Sequence, residues 1–306
     1  MTSIYEVMVI GGGFAGMSAA LYLGRYDRRV ALFDSGRGRS TWHQVNHNYL
    51  GFPGGVPARK LRELGCIQLQ DYPQIETIPH KIDEIKRLPD GIFVARGQAG
   101  EWCGQAVILC TGVIDHYPHF PGWDEYVGRS MFWCITCDGY HCKGAKVIVA
   151  GNNNATASMA LQLQRFTRHV TLLTHSYENE ISAVFQRRLE DAYIPVICDK
   201  IDHVMGHCGQ IEAICTKLGR RLECDLLFSH HGTTPQNKLA KDLGVALTDG
   251  GYIIIDTEQK TNVPGVYAAG DVTGLHSHQV TTAVHEGGQA ASAANYYLYP
   301  LEMKDE

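Results

Sequence analysis

Two cysteines separated by two residues, Cys134 and Cys137 in "MFWCITCDGYHCKG", carry the clearest chemistry in the chain. On a helical turn their sulfurs can meet without long-range chain closure, so the pair can cycle between dithiol and disulfide. Asp138, the next residue, is placed to shuttle a proton during thiol exchange, although an exposed acid near a helix start is an equal expectation. Half a zinc site or two buried thiols are the plainer readings of the cysteines. Zinc needs four ligands and no second CxxC or CxxH occurs, yet His141 and Cys142 stand close enough to keep that reading open.

The elements that must position this pair show up as a duplication. At an offset of 140 residues, "VMVIGGGFAGMSAALYLGRYDRRVALFDS" aligns without a gap on "VIVAGNNNATASMALQLQRFTRHVTLLTH". In each, a short β-rich run meets a turn, a helical stretch of about a dozen residues follows, and a second apolar run closes a parallel βαβ unit. The expected fold is therefore α/β, with two Rossmann-like nucleotide-binding domains.

The first copy is intact. Gly11, Gly13 and Gly16 form GxGxxG directly after a strand, and Asp34 ends the next strand, where a carboxylate can accept hydrogen bonds from a ribose. Gly11 permits the tight turn, and Gly13 lets a pyrophosphate approach a helix N-terminus, where the dipole favours anions. A purely structural glycine turn would not need all these features together. In the second copy Gly151 survives, but Asn153 stands in place of Gly13, Thr156 in place of Gly16 and Thr174 in place of Asp34. This pattern fits either a scaffold that lost its ligand or a unit that exchanged it for another.

The whole chain bounds the class. Its 306 residues are 44% hydrophobic, enough for two ordinary cores, and a net charge of −5 with a pI near 6.3 gives no field for nucleic acid or an acidic membrane. No apolar run approaches the roughly 18 residues that span a bilayer, and a membrane-surface association is unsupported. The apolar N-terminus lacks a basic start and runs into a glycine turn, so it reads as a buried strand rather than an export signal. Ten cysteines with one CxxC spacing suit a reducing cytoplasm better than a secreted disulfide framework.

"CITCDG" resembles the CATCDG-type active site of low-molecular-weight thioredoxin reductases. "VIGGGFAGMSAAL", "NYLGFPGG", "ILCTG", "GTTPQN" and "TNVPGVYAAGDVTG" occur in that family's order, so the likeness runs nearly end to end. The resemblance implies a discontinuous FAD domain, residues 1–113 and 245–306, with the altered unit and the CxxC at 114–244. It implies that Gly11, Gly13, Gly16 and Asp34 hold the adenosine diphosphate part of FAD and that Asn48, Thr111 and Gly112 line the flavin side. Asp271 would bind the ribitol, and Gln279 and Val280 the pyrimidine edge of the isoalloxazine; the family's arginine before them is His278 here. Cys137 would face the flavin and Cys134 would exchange with a thioredoxin-like or other dithiol partner. A homodimer is expected on the same ground.

The family reads the 2′-phosphate of NADPH with an HRR run, where this chain has Thr174, His175 and Ser176. Two lost charge-assisted contacts, at roughly 1.5–3 kcal/mol each, would weaken NADPH by a factor on the order of a hundred to ten thousand. NADPH is thus not the expected cofactor. Related families with this fold use ferredoxin, a second FAD or oxygen instead. Gly151, Asn152, Asn153, Asn154 and His175, with Tyr177, offer uncharged donors and an aromatic face for a differently placed nucleotide such as a second FAD, and an asparagine-rich surface turn is the plain alternative. The expected activity is a flavin-dependent disulfide oxidoreductase of the diflavin type, of either direction; an NADPH-dependent or ferredoxin-linked reductase and a flavin-bound redox sensor are its rivals. His230, His231, His276 and His278 read as polar loop residues, and the tyrosines of "NYYLYPLEM" as packing onto the core or a partner, or as a flavin cap.

Overall fold

The computed structural model describes residues 4–304, which divide into two compact units. One comprises the residues up to Thr41, Ala58–Ile114 and the residues from Thr234 on; the other comprises Trp42–Pro57 and Asp115–Thr233.

The first unit is built on a seven-stranded sheet. The strands run Ile75–Ile78, Val30–Phe33, Tyr5–Ile10, Gly100–Leu109, Phe93–Gly97, Glu84–Arg87, and Val266–Ala268 also pairs with Gly100–Leu109. The central strands are parallel, with Val7 opposite both Val30 and Ala106, while Phe93–Gly97 and its outer neighbour are antiparallel. Val7, Met8 and Val9 are wholly buried, as a parallel strand covered on both faces requires. Helices Phe14–Arg25 and Val280–Leu298 cross closely on one face, where Ser18 Oγ donates to the Val284 carbonyl at 2.7 Å.

The second unit holds five parallel strands in the order Met131–Phe132, Leu226–Ser229, Val147–Ala150, Val170–Leu173, Val196–Ile197. A three-stranded antiparallel sheet, Ile201–His207, Gln210–Thr216 and Arg221–Glu223, adjoins it in sequence. The duplication read from the sequence is kept in three dimensions: Val7 pairs with Val30, and Val147 with Val170, the same positions 140 residues on. Both units are thus Rossmann-like α/β structures. Among the described residues no helix is long and apolar enough to cross a membrane.

The last helix carries the tyrosine-rich tail back onto its own unit. The Arg28 guanidinium lies 4.7 Å from the centre of the Tyr299 ring, and Tyr297 lies against Gly265.

Candidate functional site: two unlike cradles and a disulfide

The glycine turn of the first unit is tight where the fold needs it and open where a ligand would lie. Gly11 has φ +117°, and a Cβ there would stand 2.1 Å from the Cys110 carbonyl oxygen. At Gly16 it would stand 1.8 Å from the Gly11 oxygen, so Gly11 lets the turn approach the end of the neighbouring strand and Gly16 lets the helix approach the turn. Gly13 is different: nothing lies within 4 Å of the position its Cβ would take, and its backbone angles, φ −76° and ψ −172°, are open to any residue. Neither packing nor conformation calls for glycine at this helix start. Space for a pyrophosphate against the N-terminal amides does. The cradle therefore fits the pyrophosphate of a dinucleotide such as FAD.

Asp34 stands at the mouth of this turn. Its Oδ1 accepts from Gly36 N at 2.9 Å and its Oδ2 from Arg62, whose guanidinium also donates to the Gly12 carbonyl. Asp271 is matched by Arg39, Nη1 to Oδ2 at 2.7 Å. Arg39 and Arg62 place positive charge beside the two carboxylates expected to meet the cofactor, and sequence reading passed over both. Their signal was weak, since an arginine in the 3-10 turn Arg39–Thr41 and another on helix Ala58–Leu69 carry no spacing that marks them. Thr111 Oγ1 donates to the Gln236 carbonyl at 2.7 Å, and the Gly112 carbonyl accepts from Gln236 N at 2.9 Å. Gln279 is the N-cap residue of helix Val280–Leu298. Of the residues expected around FAD, all but Asn48 lie in this unit; Asn48 belongs to the segment Trp42–Pro57 of the other.

In the second unit the corresponding helix, Asn154–Leu163, begins on Asn153. The Asn153 carboxamide oxygen accepts from Thr156 N at 2.9 Å and from Thr156 Oγ1 at 3.1 Å, an N-cap bond of the standard kind. The side chain thus occupies the place that Gly13 leaves open, and it satisfies an amide a phosphate would use. Asn152 Oδ1 accepts from Glu180 N and Asn154 Oδ1 from Ser182 N, each at 2.9 Å. All three carboxamide oxygens tie the turn to itself or to the loop before helix Ala183–Asp191, which matches the plain alternative of an asparagine-rich turn.

The ribose and phosphate positions are altered to match. Thr174, buried, donates its hydroxyl to the Ser176 carbonyl at 2.6 Å. His175 takes a left-handed backbone, φ 52°, and its Nδ1 accepts from Ile201 N at 3.1 Å. An imidazole that accepts at Nδ1 is the neutral tautomer, and burial, with Lys200 and His119 nearby, holds its pKa below the usual histidine value. Here it is no substitute for an arginine. His230 and His231, read as polar loop residues, are partly buried instead: burial lowers both, and His231, with His175 and His230 beside it, falls to about 4.

Cys134 and Cys137 form a disulfide with their Cα atoms 5.3 Å apart. Cys134 is the N-cap of the short helix Ile135–Asp138, and its Sγ accepts from Cys137 N at 3.1 Å. The pairing replaces the half-zinc reading, and among the described residues no group of three His, Cys, Asp or Glu side chains is placed to hold a metal ion. Trp133, just before the pair, meets Tyr117, which also stacks on Trp123 with 5.2 Å between ring centres. Asp138 is buried, unlike the exposed acid that is one of its two readings, and it caps the 3-10 turn Gly139–Cys142. Burial raises its pKa to about 7. Cys142, behind it, is pushed up to about 12 by burial and by the Asp138 charge, which makes it an inert thiol.

A Rossmann-like unit with an open dinucleotide cradle, a second that repeats its plan, and a redox disulfide in the second define a flavin-dependent disulfide oxidoreductase. The family model described as pyridine nucleotide-disulphide oxidoreductase matches residues 5–287, and the chain belongs to that family. It is similar to the thioredoxin reductase of Treponema pallidum, 30% identical with 99% of this chain and 100% of that protein covered. The solved thioredoxin reductase of Streptococcus pyogenes covers 97% of this chain, itself covered to 99%, at a TM-score of 0.89 and 25% identity. The atypical thioredoxin reductase TRi of Desulfovibrio vulgaris is 33% identical over 96% of this chain and 97% of its own, at a TM-score of 0.54. The enzyme is thus thioredoxin reductase-like.

Proposed function

We propose that the chain passes two electrons between FAD, the Cys134–Cys137 pair and a thioredoxin-like dithiol partner, without NADPH as its ordinary hydride donor. Gly11, Gly13, Gly16, Asp34 and Asp271, in the unit with the open cradle, would hold FAD, which when bound would supply the two-electron couple. The observation that carries the departure from NADPH is the Asn153 cap on Thr156. With it go the buried Thr174 hydroxyl and the neutral His175, so the second unit lacks cradle, ribose acid and phosphate cation together.

The disulfide does the exchange. In the reducing direction, the Cys134 thiolate attacks the partner's disulfide, forming a mixed disulfide and releasing one partner thiolate, which takes a proton. Cys137 then attacks Cys134, which re-forms the internal disulfide and releases the partner as a dithiol. The Cys137 amide donates to Cys134 Sγ, and so favours charge on the sulfur assigned to the partner. Asp138, with a pKa of about 7, can hold the proton that a leaving thiolate needs. The steps run in reverse for partner oxidation.

One FAD per chain is the reading adopted, because the Asn153 side chain fills the helix start that a second pyrophosphate would need and the carboxamide oxygens of Asn152 and Asn154 are tied within the unit. A homodimer in a reducing cytoplasm remains part of the proposal, on the resemblance and the cysteine usage. Two measurements on the purified protein test it. Flavin released by denaturation should be close to one per chain, and a value near two would restore the diflavin arrangement. Stoichiometric NADPH under anaerobic conditions should leave the flavin absorbance largely intact; rapid bleaching would make the protein an ordinary NADPH-dependent reductase.

A further inference from the structure

We infer that Glu286 is a positioning residue for the cofactor, a single buried carboxylate that ties together the two segments expected to meet the flavin side of FAD. Glu286 lies on helix Val280–Leu298 and is 1% exposed. Its Oε2 accepts from Gly270 N at 2.6 Å, and its Oε1 accepts from His276 Nδ1 at 2.8 Å. The two oxygens thus reach two different stretches of chain.

The first stretch is the turn that carries Asp271. Gly270 has φ +77°, a left-handed conformation, and the peptide held by Glu286 is the one entering that glycine. Fixing it fixes the direction in which Asp271 leaves the turn, and Arg39 then holds the Asp271 carboxylate from the far side at 2.7 Å. The second stretch is the exposed loop Gly274–Ser277, which leads directly into Gln279 and Val280. His276 is its anchor: the side chain is 54% exposed, but its Nδ1 reaches inward to the buried carboxylate.

A purely structural role does not explain the choice of residue. The same helix fills the core with Ala290, Ala291 and Ala294, all fully buried. An apolar residue at 286 would avoid the desolvation of a carboxylate, which a buried ion recovers only through well-placed partners. What an apolar residue cannot do is accept from Gly270 N and His276 at once. The Glu286 charge is also felt at the strand end beside the glycine turn, where, after burial, it is the second cause that raises the Cys110 thiol.

The inference rests on FAD being the resident cofactor, and the experiment separates the two claims. Flavin release from the purified holoprotein on serial dilution, read by the fluorescence of free FAD, gives a dissociation constant for the wild type and for Glu286→Gln, Glu286→Ala and His276→Ala. A wild type that holds no FAD would sink the cofactor reading itself. Given tight wild-type binding, Glu286→Gln should stay within about threefold, because its carboxamide oxygen still accepts from Gly270 N, and Glu286→Ala should bind about tenfold more weakly or worse. His276→Ala, at a half-exposed site, should weaken FAD about threefold with an unchanged melting temperature. Wild-type affinity in Glu286→Ala, or equal losses in the Gln and Ala variants, would overturn the inference. Should Glu286→Ala fail to fold, undiminished FAD affinity in His276→Ala would overturn the two-sided tie on its own.

Discussion

Asn153 caps the helix that starts one residue later by accepting a hydrogen bond from the backbone of Thr156 at 2.9 Å. At the equivalent place in the first unit, Gly13 has no side chain with which to do so, and nothing lies within 4 Å of the position its Cβ would take. One unit thus presents a bare helix end to a ligand, and the other closes the same end with its own residue.

Removing that cap has a cost that depends on the replacement. Asn153→Ala should lower the stability of the second unit by about 1 kcal/mol, while Asn153→Gly should lose only a few tenths. Denaturant titration with tryptophan fluorescence gives the ranking. Neither change should alter FAD content; a loss of flavin from Asn153→Gly would mean that the cap serves the cofactor after all. Glycine and alanine at Asn153 and Thr156, with arginine at His175 and Ser176, should strengthen NADPH binding.

Gly13→Ala separates packing from ligand binding. Because a Cβ there meets nothing within 4 Å and the backbone is ordinary, the flavin-free protein should change in stability by less than about 1 kcal/mol. FAD should bind about ten- to a hundredfold more weakly, since the added methyl enters the space left for the pyrophosphate. Equal FAD affinity in mutant and wild type would show that close approach at Gly13 is not required.

The two cysteines should not be interchangeable. Cys137→Ser leaves Cys134 to form a mixed disulfide that nothing resolves, so a thioredoxin-like partner should accumulate as a covalent adduct on non-reducing gels. Cys134→Ser should form little adduct. Equal trapping by both variants would refute the assignment of Cys134 to the partner.

Asp138 should make stability and disulfide exchange depend on pH in a defined sense. Its folded pKa of about 7 lies above the ordinary 3.8, so between these values the native state holds a proton the unfolded chain has released. Stability should therefore fall as pH rises from about 4 to about 7, by a few kcal/mol at most, and level off above. Asp138→Asn should remove that slope and the inflection near neutral pH in the rate of disulfide exchange. An unchanged pH–rate profile in Asp138→Asn would remove the proton role.

Much of this was legible in linear form. GxGxxG and CxxC depend on residues a few positions apart, and the gapless offset of 140 residues matches Val7 with Val147, which take the same place in their two sheets. The same offset showed that Asn153 stands where Gly13 does. It left the purpose of the asparagine open, because a carboxamide can serve a ligand or a helix with the same atoms.

What the chain determined by itself was the local chemistry: which turns could approach a phosphate, which thiols could join, and which unit had departed from its twin. Only the tertiary structure decided how polar groups were satisfied. Arg62 on Asp34, Arg39 on Asp271 and Glu286 on Gly270 each join residues far apart in sequence, and no periodicity marks them. Burial is likewise a property of the packed chain. The sequence placed Asp138 beside the cysteines but left its exposure open; the fold buries it, and burial, which disfavours the charged form, raises its pKa to about 7.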